Sequence, residues 1–368
     1  MAPRRTLTLM LCAITGASLV ATAVPSSAAP GFTISPLRTS DSIQSTSGFV
    51  VHLKDRSASA QRVRTAHAAS AMQATSTSLR GLVDRAAKVR GAHVTESLAR
   101  ANNSMSVQVS QGLNATAAKA FASEIERNPE VESVEPVLHM TINENTGVHP
   151  AAVSSAPNDQ YWNRQWGLNS ENGIDAPGAW ATNTGSGVTV AVIDSGITKH
   201  PDLDGKVLPG YDFISDRYAA GDGNGRDSDP SDEGDWTRAG ACTRRDVPSS
   251  WHGTHVAGII GAATNNARGV AGAAPGAKIL PVRALGHCGG TDVDIADGIT
   301  WASGGEVPGV PTNHNPAKVI NLSLGGPSNY CPITYQRAID AAVSRGSTVV
   351  VAAGNEAMDV RKSTPGNC

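Results

Sequence analysis

Four largely apolar runs in the second half of the chain are the strongest constraint on its fold. A stretch with helical periodicity lies between each run and the next. An apolar run without polar alternation is typical of a strand that is buried on both faces. Strands that alternate with helices predict βαβ units, so we expect an α/β fold with a mostly parallel sheet and helices on both faces. The four runs are Gly187–Asp194, Lys278–Leu285, Lys318–Leu324 and Ser347–Asn355.

The N-terminus has the pattern of a secretion signal. Arg4 and Arg5 form a positive segment, an apolar stretch runs from Leu7 to Val24, and small residues follow it. This order predicts a signal peptide over residues 1–28 and a secreted, extracellular protein. A single transmembrane anchor is the alternative, but the apolar stretch is somewhat short for one.

A small α+β domain is predicted from residue 48 to residue 140. It begins with the strand Gly48–Leu53, continues with a helical stretch to about Lys88, and has a half-buried strand near Val107. Asn114 is a suitable cap for a second helix, and a further strand follows it. The resulting order is β-α-β-α-β. Residues 141–158 show no periodicity and predict an exposed linker, which is a plausible site of maturation by proteolysis.

Cysteine content and charge narrow the class of protein. Of the five cysteines, Cys12 would leave with the signal, and an even number remains in an exported chain, so we expect two disulfides. Four cysteines allow three pairings, of which we favour Cys242–Cys288 and Cys331–Cys368. The formal net charge of -2 argues against nucleic acid or a membrane surface as the main partner.

Three polar residues stand where the predicted elements begin or end. Asp194 and Asn355 end strands, and His252 opens a helix. Acyl transfer needs a histidine as general base, an acid that fixes its tautomer, and a donor that stabilises the oxyanion. The three residues therefore predict an acyl-transfer site at the carboxyl edge of the sheet.

Five segments around these residues resemble motifs of the subtilisin-like serine proteases, or subtilases: "VAVIDSGI", "HGTHVAG", "VVVAAGNE", "NLSLGG" and "CGGTDVDIADGITWA". The resemblance implies Asp194 as the acid, His252 as the base and Asn355 as the oxyanion donor. It also implies protein or peptide substrates and a monomeric enzyme. Residues 48–140 resemble the family's ferredoxin-like inhibitory propeptide, which would be an intramolecular partner. The residues expected to pair with substrate are Gly289, Gly290, Ser323, Leu324 and Gly325.

The sequence departs from the family in one respect. It contains no Gly-Thr-Ser-Met-Ala motif, where subtilases carry the nucleophile, and Ser363 is the one serine after Asn355. We therefore expect a fragment or truncated precursor of a secreted serine endopeptidase, and we expect residues 1–368 alone to be inactive. A secreted pseudoprotease that acts as a binding or inhibitory protein is the alternative.

Two segments are candidates for calcium. Residues 221–236 carry six carboxylates against one arginine, and oxygen-rich loops suit Ca²⁺. Asp222 and Asp227 are the candidate ligands there, and a solvated acidic loop is the alternative. The resemblance implies a second site with Asp202 and Asn266 as structural ligands. His255 shares a helix face with His252, and we expect it to be a packed histidine rather than a metal ligand.

Overall fold

The computed structural model describes residues 46–66, 71–142 and 156–368, which all belong to the compact unit Arg38–Cys368. The predicted signal peptide (1–28) and most of the predicted linker (143–155) lie outside the described residues. Within the described part of the chain, no helix combines the length and the apolar character needed to cross a membrane.

The N-terminal part of the described chain contains a four-stranded antiparallel sheet of order β2-β3-β1-β4. The helical stretch predicted before Lys88 consists of α1, α2 and α3. The predicted order lacked one strand of this sheet, β2, because its sequence VTESLAR is mostly polar. With β2 included the order is βαββαβ, the ferredoxin-like arrangement. The elements are β1 (Thr46–Leu53), α1 (Ala58–Thr65), α2 (Ala71–Ala74), α3 (Thr77–Lys88), β2 (Val94–Arg100), β3 (Ser104–Leu113), α4 (Ala115–Ile125), β4 (Val131–Pro136) and β5 (His139–Ile142).

Strand β1 is buried on both faces, and its two faces have different environments. Phe49, Val51 and Leu53 belong to an apolar cluster shared with α1, α3 and α4. The ring of Phe49 lies 4.5 Å from that of Phe121 on α4. On the opposite face, His52 is buried beside Glu135 of β4. The apolar face supplies the domain's own core, and the polar face is available for contact with the rest of the protein.

The C-terminal part is built on a five-stranded parallel sheet of order β12-β10-β6-β8-β7. Each of the four predicted apolar runs contains one of its strands. The elements are α5 (Trp166–Asn169), α6 (Ala176–Trp180), β6 (Thr189–Asp194), β7 (Tyr211–Asp212), α7 (Arg217–Ala220), α8 (His252–Gly261), β8 (Lys278–Arg283), β9 (Gly290–Thr291), α9 (Asp292–Ala302), β10 (Val319–Leu322), β11 (Leu324–Pro327), α10 (Ile333–Ser344), β12 (Thr348–Val351) and β13 (Ser363–Thr364).

The central strand β6 is covered on both faces, as its sequence predicts. Val192 belongs to a buried cluster with Val256 and Ala257 of α8. Ala191 and Ile193 point the other way and belong to a cluster that includes residues of α9 and α10. Helices therefore lie on both faces of the sheet, and all the strands end on the same edge as Asp194.

A third sheet joins the two parts of the chain. Its order is β13-β11-β5-β9, and β5 runs antiparallel to both of its neighbours, with Met140 opposite Gly290 and Thr141 opposite Gly325. The predicted boundary between domain and linker at residue 140 is therefore too early. Thr141 and Ile142 continue the strand, because the backbone of β11 gives them hydrogen-bonding partners that a single sequence does not reveal.

Both disulfides form in the favoured pairing, Cys242 with Cys288 and Cys331 with Cys368. Cys288 comes just before β9, and Cys331 lies in the loop after β11. Each bridge therefore fastens a loop next to one of the two strands that flank β5. In the chain-entropy description, a crosslink that closes a loop of this length stabilises the folded state by roughly 3–4 kcal/mol.

Candidate active site

The centre of the site is a contact between Asp194 and His252. The Nδ1 atom of His252 lies 2.8 Å from Oδ1 and 3.0 Å from Oδ2 of Asp194. Both side chains are buried. The backbone N–H of Ser195 donates to Asp194 Oδ1 at 2.8 Å. The carboxylate is therefore held by the turn after β6, and it fixes which ring nitrogen of His252 faces the interior.

Helix α8 comes close enough to the end of β6 because Gly253 follows His252. A β-carbon at Gly253 would lie 2.2 Å from the carbonyl oxygen of Gly196. Gly196 itself has a φ of +106°, which a residue with a side chain rarely adopts. The glycines in "DSG" and "HGTH" thus permit the approach that brings His252 to Asp194.

His255 is exposed, which contradicts its prediction as a packed histidine. Only one face of α8 is buried, and it carries Val256 and Ala257, whereas His255 and Ile259 lie on the other face.

Among residues 46–66, 71–142 and 156–368, no group of three or more histidine, cysteine, aspartate or glutamate side chains is arranged to hold a metal ion.

Asn355 lies four residues after the end of β12, at the same edge of the sheet as Asp194, and it is exposed. Its backbone N–H donates to Glu356 Oε2 at 2.9 Å. Ser363, the one serine further along the sequence, is buried in β13 and lies opposite Pro327. Ser363 thus belongs to the sheet that contains β5, and its hydroxyl is shielded from solvent.

The predicted substrate-pairing residues flank β5. Gly290 is paired with Met140 on one side, and Leu324 and Gly325 are paired with Ile142 and Thr141 on the other. Gly289 has a φ of +88°, and a β-carbon there would lie 2.1 Å from the Met140 carbonyl oxygen. Ser323 precedes β11 and its Oγ accepts from Asn321 Nδ2 at 2.9 Å. The two edges are thus spaced to hold one extended strand between them.

Met140 is the apolar anchor of β5. Its side chain is 1% exposed and belongs to the same buried cluster as Leu285, Ile295 and Leu324. Burying a side chain of this size contributes about 1.5–3 kcal/mol. The pocket beneath β5 therefore accepts a large apolar side chain at this position.

Charged groups join the polar face of the N-terminal sheet to α9. Arg100 of β2 donates to Asp294 Oδ1 at 2.7 Å and to Asp297 Oδ2 at 3.3 Å. Arg226 donates to the same two carboxylates at 2.7 Å each. Burial alone would raise the pKa of Asp294, but Arg100 and Arg226 hold it well below its ordinary value. The cluster is a buried network in which each carboxylate faces two guanidinium groups.

Glu135 joins the same sheet to α10. Its carboxylate accepts from the backbone N–H groups of Ile333 and Thr334, at 3.1 and 3.0 Å. The helix's own N-cap residue, Pro332, provides no capping side chain. Burial would raise the pKa of Glu135, but hydrogen bonds with His52 and Thr334 hold it below its ordinary value. The N-terminal sheet thus supplies the anion that stabilises the start of α10.

Asp292 contacts Leu138, the residue directly before β5. Its N–H donates to the Leu138 carbonyl at 2.9 Å, and its Oδ1 accepts from the Leu138 N–H at 3.1 Å. Its Oδ2 is buried without a hydrogen-bonding partner. Burial, with the negative charge of Glu135, raises the pKa of Asp292 well above its ordinary value.

The structure brings the predicted calcium ligands Asp202 and Asn266 into contact. Asn266 Nδ2 donates to Asp202 Oδ1 at 2.7 Å, and the Val270 N–H donates to Asp202 Oδ2 at 2.8 Å. Asp202 is buried, and Asn266 Oδ1 accepts from the Arg268 N–H. One carboxylate and one amide fit part of a calcium shell of six to eight oxygens, and backbone carbonyls would have to supply the rest.

The other two predicted ligands, Asp222 and Asp227, are held by protein donors. Asp222 Oδ2 lies 3.4 Å from Nη1 of the buried Arg283. Asp227 accepts from Asn224 Nδ2 and from the Asp229 N–H, at 2.7 Å each. These contacts do not assemble an oxygen shell, and the residues fit a cation poorly.

Several residues of the site lie outside any sequence motif, so a single sequence does not identify them. Arg100 and Glu135 come from the N-terminal domain, and their partners lie almost 200 positions away. Ser195 and Ser250 could have been found from the sequence by their positions. Ser195 directly follows Asp194, and Ser250 lies two residues before His252.

Comparison with known proteins gives one family. The profile that describes the subtilase family, Peptidase S8, matches residues 185–368, which is half of the 368-residue chain. The matched residues include Asp194, His252 and Asn355 and exclude the whole N-terminal sheet.

Two relatives are extracellular proteases of bacteria. The chain is 51% identical over 268 residues to the extracellular protease of Xanthomonas campestris, covering 71% of this chain and 44% of that protein. It is 47% identical over 251 residues to the extracellular basic protease of Dichelobacter nodosus, covering 66% of this chain and 40% of that protein. The chain thus spans less than half the length of these two relatives.

Two solved structures resemble the fold. A protease of Pseudoalteromonas arctica is 54% identical with a TM-score of 0.57, over 58% of this chain and 63% of that one. Fervidolysin of Fervidobacterium pennivorans is 25% identical with a TM-score of 0.53, over 86% of this chain and 40% of that one.

Proposed function

The chain belongs to the subtilase family, and from this premise we propose that it is part of a secreted serine endopeptidase precursor. The observation that carries the proposal is the 2.8 Å contact between His252 Nδ1 and the buried Asp194 carboxylate. Both relatives are named extracellular proteases, which supports the proposed peptidase activity and the proposed secretion.

In the proposed reaction, each residue has one task. Asp194 accepts a hydrogen bond from the Nδ1–H group of His252, so Nε2 remains the basic nitrogen. His252 then takes the proton of a serine as that serine attacks the carbonyl carbon, and it returns the proton to the leaving amine. Asn355 donates its side-chain amide to the negative oxygen of the tetrahedral intermediate.

We propose that the nucleophilic serine lies outside residues 1–368. The greater length of both relatives supports this proposal. The position of Ser363, buried opposite Pro327, supports it as well, because a nucleophile needs access to substrate.

We propose that the substrate lies as an extended strand between β9 and β11. The support is β5, which takes this place through pairs with Gly290, Leu324 and Gly325. Residues 46–142 are then an intramolecular inhibitor that has to leave before substrate enters. Cleavage within residues 143–158 would be the maturation step.

We also propose that Asp202 and Asn266 are two ligands of a structural calcium ion. The buried carboxylate of Asp202 and its contact with Asn266 support the proposal. The ion would stabilise the fold and would take no part in the reaction.

The proposal is tested by hydrolysis of casein with the protein expressed from its complete reading frame. His252→Ala should abolish activity, whereas His255→Ala, in the same helix but exposed, should leave it nearly unchanged. Undiminished cleavage by the His252→Ala variant would contradict the assignment of the base. A correctly folded and matured protein that cleaves nothing would favour the pseudoprotease alternative.

A further inference from the structure

Helix α8, which carries His252, begins without a capping side chain at its own N-cap. The N-cap residue is Trp251, which has a left-handed backbone with φ +54° and makes no side-chain capping bond. The first N–H groups of a helix have no partner within it, so they need acceptors from elsewhere. Here the acceptors are two serine hydroxyls.

The first hydroxyl belongs to Ser250 and serves the N–H of His252 itself. Ser250 Oγ accepts from that N–H at 3.3 Å and donates to Asp235 Oδ2 at 2.9 Å. The Ser250 N–H donates to Asp235 Oδ1 at 2.6 Å. Asp235 thus binds both hydrogen-bond donors of Ser250 and leaves the hydroxyl oxygen to accept from the helix.

The second hydroxyl belongs to Ser195, the residue after Asp194. Ser195 Oγ accepts from the Gly253 N–H at 3.0 Å and donates to Asp232 Oδ2 at 2.7 Å. Asp232 Oδ1 accepts from the Gly234 N–H, and the Asp232 N–H donates to the Ile197 carbonyl. Because the Ser195 N–H also binds Asp194, this residue touches both the acid and the helix of the base.

Both carboxylates come from residues 221–236, the acidic segment for which the sequence alone left open a calcium loop or a solvated loop. We propose that Asp232 and Asp235 are positioning residues for the Asp194–His252 pair and act through Ser195 and Ser250. This inference rests on the proposed function and adds to it a task for the acidic segment. Each arrangement is a relay from a carboxylate to a hydroxyl to a helix N–H, and we call the two the serine relays.

The relays fix two consecutive residues of the helix, His252 and Gly253, while Asp194 fixes the ring. A negative charge behind each hydroxyl strengthens its bond to the helix N–H, because charge-assisted bonds in a chain polarise one another. The negative charges also lie near the positive end of the helix dipole. The position of the imidazole relative to Asp194 therefore depends on a segment that acts through the backbone of the helix.

The test is nuclear magnetic resonance of the full 368-residue chain labelled with ¹⁵N-histidine. The Nδ1–H proton of His252 is identified by its loss in Asp194→Asn. We expect this proton to exchange with solvent about tenfold faster in the double variant D232N/D235N, which removes both charges, and in S195A/S250A, which removes both hydroxyls. The single variant Ser250→Ala should show part of the effect, and Ser250→Thr, which keeps a hydroxyl, should restore the parent rate.

Glu233→Gln is the matched control, because Glu233 is exposed and lies between the two relay carboxylates. It removes one charge from the segment and should leave the exchange rate unchanged. The inference is overturned if D232N/D235N and S195A/S250A both keep the parent rate, or if Glu233→Gln changes it as much as they do. If the double variants unfold, the comparison of Ser250→Ala with Ser250→Thr decides.

A second readout uses the complete protein with a peptide substrate. The double variants should lower kcat about tenfold or more with little change in KM, since a small displacement of a catalytic group mainly affects the transition state. An equal loss in Glu233→Gln would contradict the inference. The resonance experiment needs no turnover, so it still decides the positioning role if the complete protein proves to have no peptidase activity.

Discussion

The carbonyl oxygen of Met140 lies so near the α-carbon of Gly289 that a β-carbon on Gly289 would approach it to 2.1 Å. Real β-carbons essentially never lie this close to a backbone atom. The position of β5 between its two neighbouring strands thus depends on the absence of a side chain at one residue of the C-terminal part.

Gly289→Ala should displace β5 from its partner β9. The added methyl group has to push away the backbone of Met140, so the β5 amides should exchange with deuterium faster. Gly187→Ala is the matched control, because Gly187 also has a positive φ of +80° but open space around it. Equal effects of the two substitutions would mean that backbone strain, and not contact with β5, is responsible.

Arg100→Met should weaken the attachment of the N-terminal sheet to α9. The substitution leaves Arg226 as the one guanidinium group paired with Asp294 and Asp297. Removing one partner of a buried charge network costs about 3 kcal/mol or more. The free energy of unfolding in urea measures the loss. Arg337→Met is the control, since its pair with Glu132 crosses the same interface but is partly exposed to solvent and should contribute under about 1 kcal/mol.

Asp292→Asn should change the pH dependence of stability only above the ordinary pKa of a carboxyl group. Burial raises the pKa of Asp292, so its stabilising contribution is complete below the ordinary pKa of a free carboxyl and is lost as pH rises through the raised value. The amide that replaces the carboxyl group cannot ionise, so the melting temperature of the variant should fall less as pH rises.

The acid side provides the control for this prediction. The pKa values of Glu135 and Asp294 are lowered, so their contributions are present above the ordinary value and are lost as pH falls. Asp292→Asn leaves both groups in place, and the acid loss of stability should persist. A variant that follows the parent curve at high pH would show that Asp292 does not titrate as described.

Removal of calcium with a chelator should lower the melting temperature of the parent chain, and added calcium should restore it. A ligand that binds only the folded state stabilises it by mass action. Asp202→Asn should abolish the response, because it removes the one carboxylate of the proposed site. Asp204→Asn, two residues away and exposed, should retain it. An unchanged response in Asp202→Asn would exclude this position.

The parallel sheet was predictable because its strands carry their signal locally. β6, β8, β10 and β12 all lie within the predicted apolar runs and differ from them mainly at the ends. Strand β2 was missed since four of its seven residues are polar. Strand β5 was missed since its partners lie about 150–180 positions further along. Strand pairing of that range has no local pattern.

The contact of Asp194 with His252 followed from motif resemblance, and so did the two edges beside β5. The catalytic roles of these residues, and of Asn355, remain predictions. The burial of Asp232 and the relay through Ser195 were not predictable, because an acidic loop with turn residues has the same composition whether its carboxylates face water, a metal or a helix. The exposure of His255 was also missed, since a Gly/Ala-rich helix does not reveal which of its faces is covered.

Strand β5 belongs to the same polypeptide as the two strands that flank it. While the chain is uncut, its occupancy is a unimolecular equilibrium, governed by an effective concentration that dilution does not change. A cut after Ile142 would make the same contacts a bimolecular complex, in which the fraction bound falls as the total protein concentration falls below the dissociation constant. One broken peptide bond would thus make the occupancy of this groove dependent on concentration without altering a contact within it.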